Sequence, residues 1–201
     1  MLATPVKGHP HPTPLPKGEG AEKHRNRKKG KGMALITDAS QAREVIREAQ
    51  EKGVALINLN PEGPGGIEAC LRGAKSFGER VGAPDVPIFL SICGTYHARP
   101  QIAYYTSLGD PFFGFEAWFA DVKFYTDPAG PFGRVRVMTH LDHGQPDTDA
   151  EILHNRLSRL SSVMFDASAL PFDENMKQTA AYVERHGKQV VVEGAVDEIF
   201  E

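Results

Sequence analysis

Apolar, β-branched segments alternate with amphipathic segments along most of this chain, and that alternation constrains the fold more than any other feature. The last three apolar segments begin near residues 135, 162 and 189, an interval that suits one strand, one helix and two short loops. Alternating helices and uniformly apolar strands predict a parallel sheet with both faces covered. A barrel and an open doubly wound sheet both satisfy the pattern.

The pattern predicts five strands and the helices between them. The first helix follows a cap at Asp38 or Ser40 and ends at Gly53. A glycine-rich turn at 63–66 precedes the second helix and lacks the flanking residues of known phosphate-binding loops. The strands are expected at 54–60, 87–93, 135–144, 162–168 and 189–193. The second helix is expected to bury Ile67, Cys70, Leu71, Ala74, Phe77 and Val81.

Eleven of the 17 aromatic residues lie in the long segment 94–133. Phe115, Trp118, Phe119 and Val122 recur at helical spacing, so at least one helix is expected here. Core packing or a subunit interface explains this composition better than a ligand-binding aromatic cluster.

Charge divides the chain at about residue 32. Residues 1–32 contain five prolines and carry a net charge of +6, which predicts a disordered basic extension. Such an extension is either a tail for nucleic acid or a membrane surface, or sequence upstream of a true start at Met33; we favour the second. The remaining residues, 33–201, carry −9 and are expected to form one folded domain that does not bind nucleic acid.

Two further observations indicate the cellular compartment of the protein. No apolar run approaches the ~20 residues that span a bilayer, and no secretory signal is evident at the amino terminus. Cys70 and Cys93 are the two cysteines, too few for a disulfide framework or a cysteine zinc site. We therefore expect a soluble, cytoplasmic protein with reduced thiols and no membrane partner.

The candidate active site is the sequence His140-Leu141-Asp142-His143-Gly144, which ends the third predicted strand. Reactive side chains at the carboxyl ends of parallel strands are more often catalytic than structural. Neutral imidazole can coordinate a divalent ion, and a neighbouring carboxylate can move protons. The alternative is that backbone carbonyls simply satisfy both histidines.

Three motifs in order resemble a known family. They are His140-Leu141-Asp142-His143-Gly144, the segment 162–176 containing Asp166-Ala167-Ser168, and the apolar strand that ends in Glu193-Gly194. Together they resemble the zinc-dependent class II fructose-bisphosphate and tagatose-bisphosphate aldolases. The match is good over about 133–194 and looser over 33–94.

The resemblance implies a (β/α)8 barrel, of which this chain would form about the first five βα units. It implies reversible aldol cleavage of a ketose bisphosphate to dihydroxyacetone phosphate and an aldehyde. Asp142 then matches the proton-transferring residue, His143 a ligand of the catalytic Zn²⁺, and Asp166 an acidic residue of a second metal position. Asn60 matches a substrate-binding asparagine. The expected partner is a small-molecule sugar phosphate, and self-association into a homo-oligomer is compatible with the sequence.

Several departures from the family pattern temper these expectations. Ala195 stands where the family has a second glutamate, and Cys93 stands at a family serine. The chain reaches Glu201 before the strands that would bring the other zinc histidines, so we expect a truncated barrel with little or no activity alone. The alternatives are a non-catalytic aldolase-like subunit and, less favoured, a related enzyme with another substrate.

Overall fold

A computed structural model describes residues 34–196. The predicted extension at 1–32 lies outside these residues. The described part contains six strands and six α-helices, with one 3-10 turn at Leu157–Arg159 between the fifth helix and the fifth strand. In chain order they are β1 (Leu35–Ile36), α1 (Ala39–Glu51), β2 (Asn58–Leu59), α2 (Gly63–Val81), β3 (Pro87–Cys93), α3 (Gln101–Tyr104), α4 (Pro111–Tyr125), β4 (Arg136–Gly144), α5 (Ala150–Asn155), β5 (Ser162–Phe165), α6 (Phe172–His186) and β6 (Val191–Gly194).

All the strand pairs are parallel, which confirms the predicted α/β class. The sheet runs β2-β3-β4-β5-β6 in chain order, as in one part of a barrel. The short strand β1 was not predicted and lies beside the start of β4, with Leu35 opposite Val137. Strand β5 pairs with β4 only from His140 onward, so β1 occupies the part of that edge that β5 leaves open.

Hydrophobic clusters cover both faces of the sheet. On the outer face, Ile88, Leu90 and Val137 belong to a cluster that also contains buried residues of α2, α4, α5 and α6. The alternate strand residues Phe89 and Met138 face the opposite way and pack with Ala42 and Val45 of α1. Helix α1 therefore covers the inner face at the amino ends of the strands, and it leaves the carboxyl ends to polar residues.

Local sequence signals position the first and fourth helices as expected. The carboxylate of Asp38 accepts hydrogen bonds from the backbone amides of Ser40 and Gln41, both at 3.0 Å, and caps α1. Gly53 follows α1 with a φ of 63°, in the left-handed region that ends many helices. The predicted aromatic helix is α4, whose Phe115 and Trp118 are fully buried.

The first predicted strand was wrong in extent and burial. Only residues 58–59 of the expected strand at 54–60 form β2, and Val54 and Ile57 are more than half exposed. Strand β2 is the edge of the sheet and has a single neighbour, β3, so an apolar run here does not become a buried strand.

The inner face of α2 also differs from expectation. Phe77 and Val81, predicted to lie on the inner face of α2, are about half exposed beside the β2 edge. On α6, beside the opposite edge, Phe172, Met176 and Val183 are likewise exposed. The glycine-rich segment that was predicted as a turn forms the first turn of α2, which begins at Gly63. No helix among residues 34–196 is both long and apolar enough to cross a membrane.

Candidate active site

The candidate site lies at the carboxyl ends of β2, β3 and β4, where parallel α/β folds bind their ligands. Asp142 of β4 is in register with Cys93, the last residue of β3. Asn60 follows directly after β2. The four residues predicted from the sequence, Asn60, Asp142, His143 and Asp166, all lie at this end of the sheet, in two hydrogen-bonded pairs.

A bulge in β4 allows the neighbouring residues Asp142 and His143 to serve the same site. Side chains normally alternate between the two faces of a strand. His143 has a φ of 47°, and the pairing of β4 with β5 shifts register between Leu141 and Gly144. His143 is the one non-glycine residue with positive φ among residues 34–196. Backbone strain of this kind collects at functional sites.

The carboxylate of Asp142 is held from the two preceding strands. Its Oδ2 atom accepts a hydrogen bond from Asn60 Nδ2 at 3.0 Å and another from Cys93 Sγ at 3.3 Å. Burial raises the pKa of the Cys93 thiol to about 12, and the negative charge of Asp142 adds to this shift. The thiol therefore keeps its proton at neutral pH and acts as a hydrogen-bond donor.

The imidazole of His143 is held by the following strand. Its Nδ1 atom lies 2.7 Å from Oδ2 of Asp166, just beyond the end of β5. Burial raises the pKa of Asp166, but hydrogen bonds from His143 and Ser168 outweigh this and lower it to about 2. The same bond with Asp166 raises the pKa of His143 against the effect of burial. Tyr96 stacks on the imidazole, with ring centres 4.3 Å apart.

The other histidine of the motif has a different environment. His140 is 3 % exposed and its Nδ1 atom lies 2.7 Å from the hydroxyl of Ser162. Burial lowers the pKa of His140 to about 4, so the ring is neutral. Its Nε2 atom is 3.9 Å from a carboxylate oxygen of Glu193 in β6. The Nδ1 atoms of His140 and His143 therefore both contact side chains. The alternative interpretation had expected backbone carbonyls there.

Several residues of this site were missed in the sequence. Ser162 begins β5 and contacts His140, and Ser168 follows β5 and contacts Asp166. Gln145 donates through Nε2 to Asp166 at 3.2 Å. Tyr96 lies three positions after the end of β3, which is a signal that could have identified it, because loops after parallel strands line such sites. Nothing in the local pattern of Gln145 marks it.

The residues that the structure describes supply fewer than three metal ligands at any one place. The bond between His143 Nδ1 and a carboxylate is the arrangement that orients metal-binding histidines elsewhere. Within 34–196, however, no group of three or more histidine, cysteine, aspartate or glutamate side chains is placed to hold an ion. A catalytic zinc needs about three protein ligands, so these residues do not form a zinc site by themselves.

Comparisons with known proteins identify a family for this chain. The family model described as "Fructose-bisphosphate aldolase class-II" matches residues 40–200. No curated protein sequence matches the chain.

Two aldolases are among the solved structures that resemble the fold. The fructose-bisphosphate aldolase of Campylobacter jejuni has 17% identity and a TM-score of 0.60, over 81% of this chain and 47% of its own. The YdjI aldolase of Escherichia coli K12 has 23% identity and a TM-score of 0.53, over 80% of this chain and 51% of its own. The chain thus spans about half the length of these relatives. Because the family model covers most of its residues, the chain belongs to the class II fructose-bisphosphate aldolase family.

Proposed function

We propose that these residues serve the metal-assisted, reversible aldol cleavage of a ketose bisphosphate to dihydroxyacetone phosphate and an aldehyde. The observation that carries the proposal is the side-by-side placement of Asp142 and His143 at the end of β4, each held by a separate partner. Family membership supports a lyase of the aldolase type. The substrate class, a small-molecule sugar phosphate, and a cytoplasmic setting are parts of the same proposal.

In this proposal Asp142 exchanges a proton with a substrate hydroxyl. That hydroxyl lies on one of the two carbons whose bond is cleaved. Both of its hydrogen bonds from Asn60 and Cys93 reach Oδ2, and neither reaches Oδ1. The carboxylate is thereby oriented with Oδ1 available for proton exchange. Asn60 lies in contact with this group and is proposed to contact substrate as well.

His143 is proposed as one ligand of a Zn²⁺ ion, and Asp166 as the carboxylate that fixes its ring. Zinc accepts imidazole and carboxylate ligands, so Asp166 remains a candidate for a second ion as well. The remaining ligands would have to come from beyond residues 34–196. We therefore expect little or no turnover from the 201-residue chain unless those ligands are supplied.

The decisive measurement is an assay of the cleavage of fructose 1,6-bisphosphate and tagatose 1,6-bisphosphate with added Zn²⁺. Cleavage is monitored through the release of dihydroxyacetone phosphate over long incubations. Asp142→Ala and His143→Ala are both expected to abolish turnover, and His143→Ala alone to weaken Zn²⁺ binding in calorimetry. His154→Ala removes an imidazole from the outer helix layer and serves as the control. Turnover that survives Asp142→Ala would remove the assigned role.

The alternative is a non-catalytic, aldolase-like subunit with a structural or regulatory role. Ala195, at a position where a carboxylate was expected, is the observation in its favour. Wild-type protein that is folded, holds bound Zn²⁺ and still cleaves neither bisphosphate would support this alternative over the lyase.

A further inference from the structure

The two cysteines of the chain lie in different environments. Cys93 ends β3, is 3 % exposed and donates through Sγ to Oδ2 of Asp142 at 3.3 Å. Cys70 lies on α2, is half-buried, and packs against the outer hydrophobic cluster. Cys93 is therefore the cysteine of the candidate site.

The thiol of Cys93 is one of two donors that converge on a single oxygen. Asn60 Nδ2 reaches the same Asp142 oxygen at 3.0 Å and also lies 3.4 Å from Cys93 Sγ. The three side chains form a closed triangle across the ends of β2, β3 and β4. A carboxylate that accepts two bonds on one oxygen has a fixed orientation, because rotation about its χ2 angle would break both.

A buried glutamine fixes the two strand ends that carry these donors. Gln101 is 1 % exposed, its Oε1 atom accepts from the backbone amide of Cys93 at 2.9 Å, and its Nε2 atom donates to the carbonyl of Pro61 at 2.8 Å. Pro61 directly follows Asn60, so Gln101 ties the two donor positions together through the backbone. The triangle thus rests on an anchored framework.

We propose that Cys93 is a positioning residue, whose protonated thiol holds the carboxylate of Asp142 in the orientation that proton exchange requires. A thiol is a weak donor, but a charged acceptor strengthens its hydrogen bond. The contact itself does not depend on the proposed function. Its catalytic consequence rests on the assignment of Asp142 as the proton carrier.

The infrared S–H stretching band tests the contact directly. In the Cys70→Ser chain the band comes from Cys93 alone, since the sequence has two cysteines. We expect a band at lower wavenumber than in the same chain unfolded in guanidinium chloride. Asp142→Asn and Asp142→Ala, each made in the Cys70→Ser chain, should both return the band toward the unfolded position; two variants guard against one that fails to fold.

A band at the unfolded position would overturn the proposal. So would a shifted band that neither folded Asp142 variant moves, because the acceptor would then be another group. If the band behaves as expected while Asp142→Ala leaves turnover intact, the contact stands and the assigned role of Asp142 fails. The two failures are therefore distinguishable.

Kinetics test the catalytic consequence. Cys93→Ala removes the donor and should lower kcat about tenfold, the effect of losing one hydrogen bond to a charged group, with KM within about twofold. Cys93→Ser retains a hydroxyl donor and should restore most of the loss. A Cys93→Ala protein with unchanged kcat would contradict the positioning role.

Discussion

His143 Nδ1 and Asp166 Oδ2 lie 2.7 Å apart, although the residues belong to the ends of two different strands. The bond raises the pKa of the imidazole, and together with Ser168 it outweighs burial and lowers the pKa of the carboxyl group to about 2. This pair links β4 to β5 at the candidate site. Its strength can be measured without any substrate.

Asp166→Asn removes the charge that His143 faces. In metal-free protein the pKa of His143 should fall toward its usual value, as followed by NMR titration of the imidazole. Because a hydrogen bond to a charged group contributes about 1.5–3 kcal/mol, the free energy of unfolding should fall by about 2 kcal/mol. Ser168→Ala is the matched control, because it removes the hydroxyl bond to the other carboxylate oxygen and leaves the backbone amide bond and the charge. An unchanged His143 pKa in Asp166→Asn would contradict the bond.

A second histidine pair should make stability depend on pH. His154 Nδ1 lies 2.8 Å from His186 Nε2, between α5 and α6. Burial lowers the pKa of both histidines below 6.5, and nearby Arg185 lowers both further. A histidine with a lower pKa in the folded state contributes stability that is present above pH 6.5 and is lost as the pH falls below it.

Urea unfolding at pH 7.5 and 5.5 measures the total loss, to which buried His140 also contributes. His186→Asn should reduce the difference between the two pH values, because one shifted group has been removed. His97→Gln, at an exposed position after β3 and outside this pair, is the control for the loss of a histidine. If His186→Asn kept the full difference, the pH dependence would have to come from other groups.

Two glycines in helices should respond to alanine in opposite directions. A Cβ at Gly114 of α4 would collide with the backbone carbonyl of Ile102 in α3, whereas a Cβ at Gly73 of α2 would meet nothing within 4 Å. Gly114→Ala should therefore lower the free energy of unfolding by about 1–3 kcal/mol, as overpacked positions do. Gly73→Ala should raise it by about 0.5–1 kcal/mol through helix propensity. Thermal or urea unfolding of both variants is the measurement, and equal effects would contradict the close approach of α3 and α4.

An ion cluster joins α4 to the segment after α5. Glu116 of α4 lies 2.9 Å from Arg159 Nε and 3.4 Å from Arg156 Nε, and all three side chains are about 70% buried. Glu116→Gln should cost about 1 kcal/mol at low salt, and less in 1 M NaCl, where the Debye length is about 3 Å. Glu44→Gln breaks an exposed pair with Arg47 and should produce no measurable change. A salt-independent loss in Glu116→Gln would point to packing instead of charge.

The sequence by itself determined the order and type of most elements. The parallel sheet and the helix caps follow from local periodicity and from residues such as Asp38, because each depends on neighbours a few positions away. The position of Asp142 and His143 at the carboxyl end of a strand could be predicted for the same reason. So could the joint presence of Asn60 and Asp166 at that end, since parallel strands bring their ends together.

Tertiary structure decided the rest. Val54 and Ile57 stay exposed because β2 is an edge strand of the sheet. Sequence periodicity carries no information on the order of strands in a sheet. The bulge at His143 and the bonds from Cys93 to Asp142 and from His143 to Asp166 depend on register between strands. Register is set by the packing of whole strands and helices, so the orientation of the reactive groups was fixed by contacts far apart in the chain.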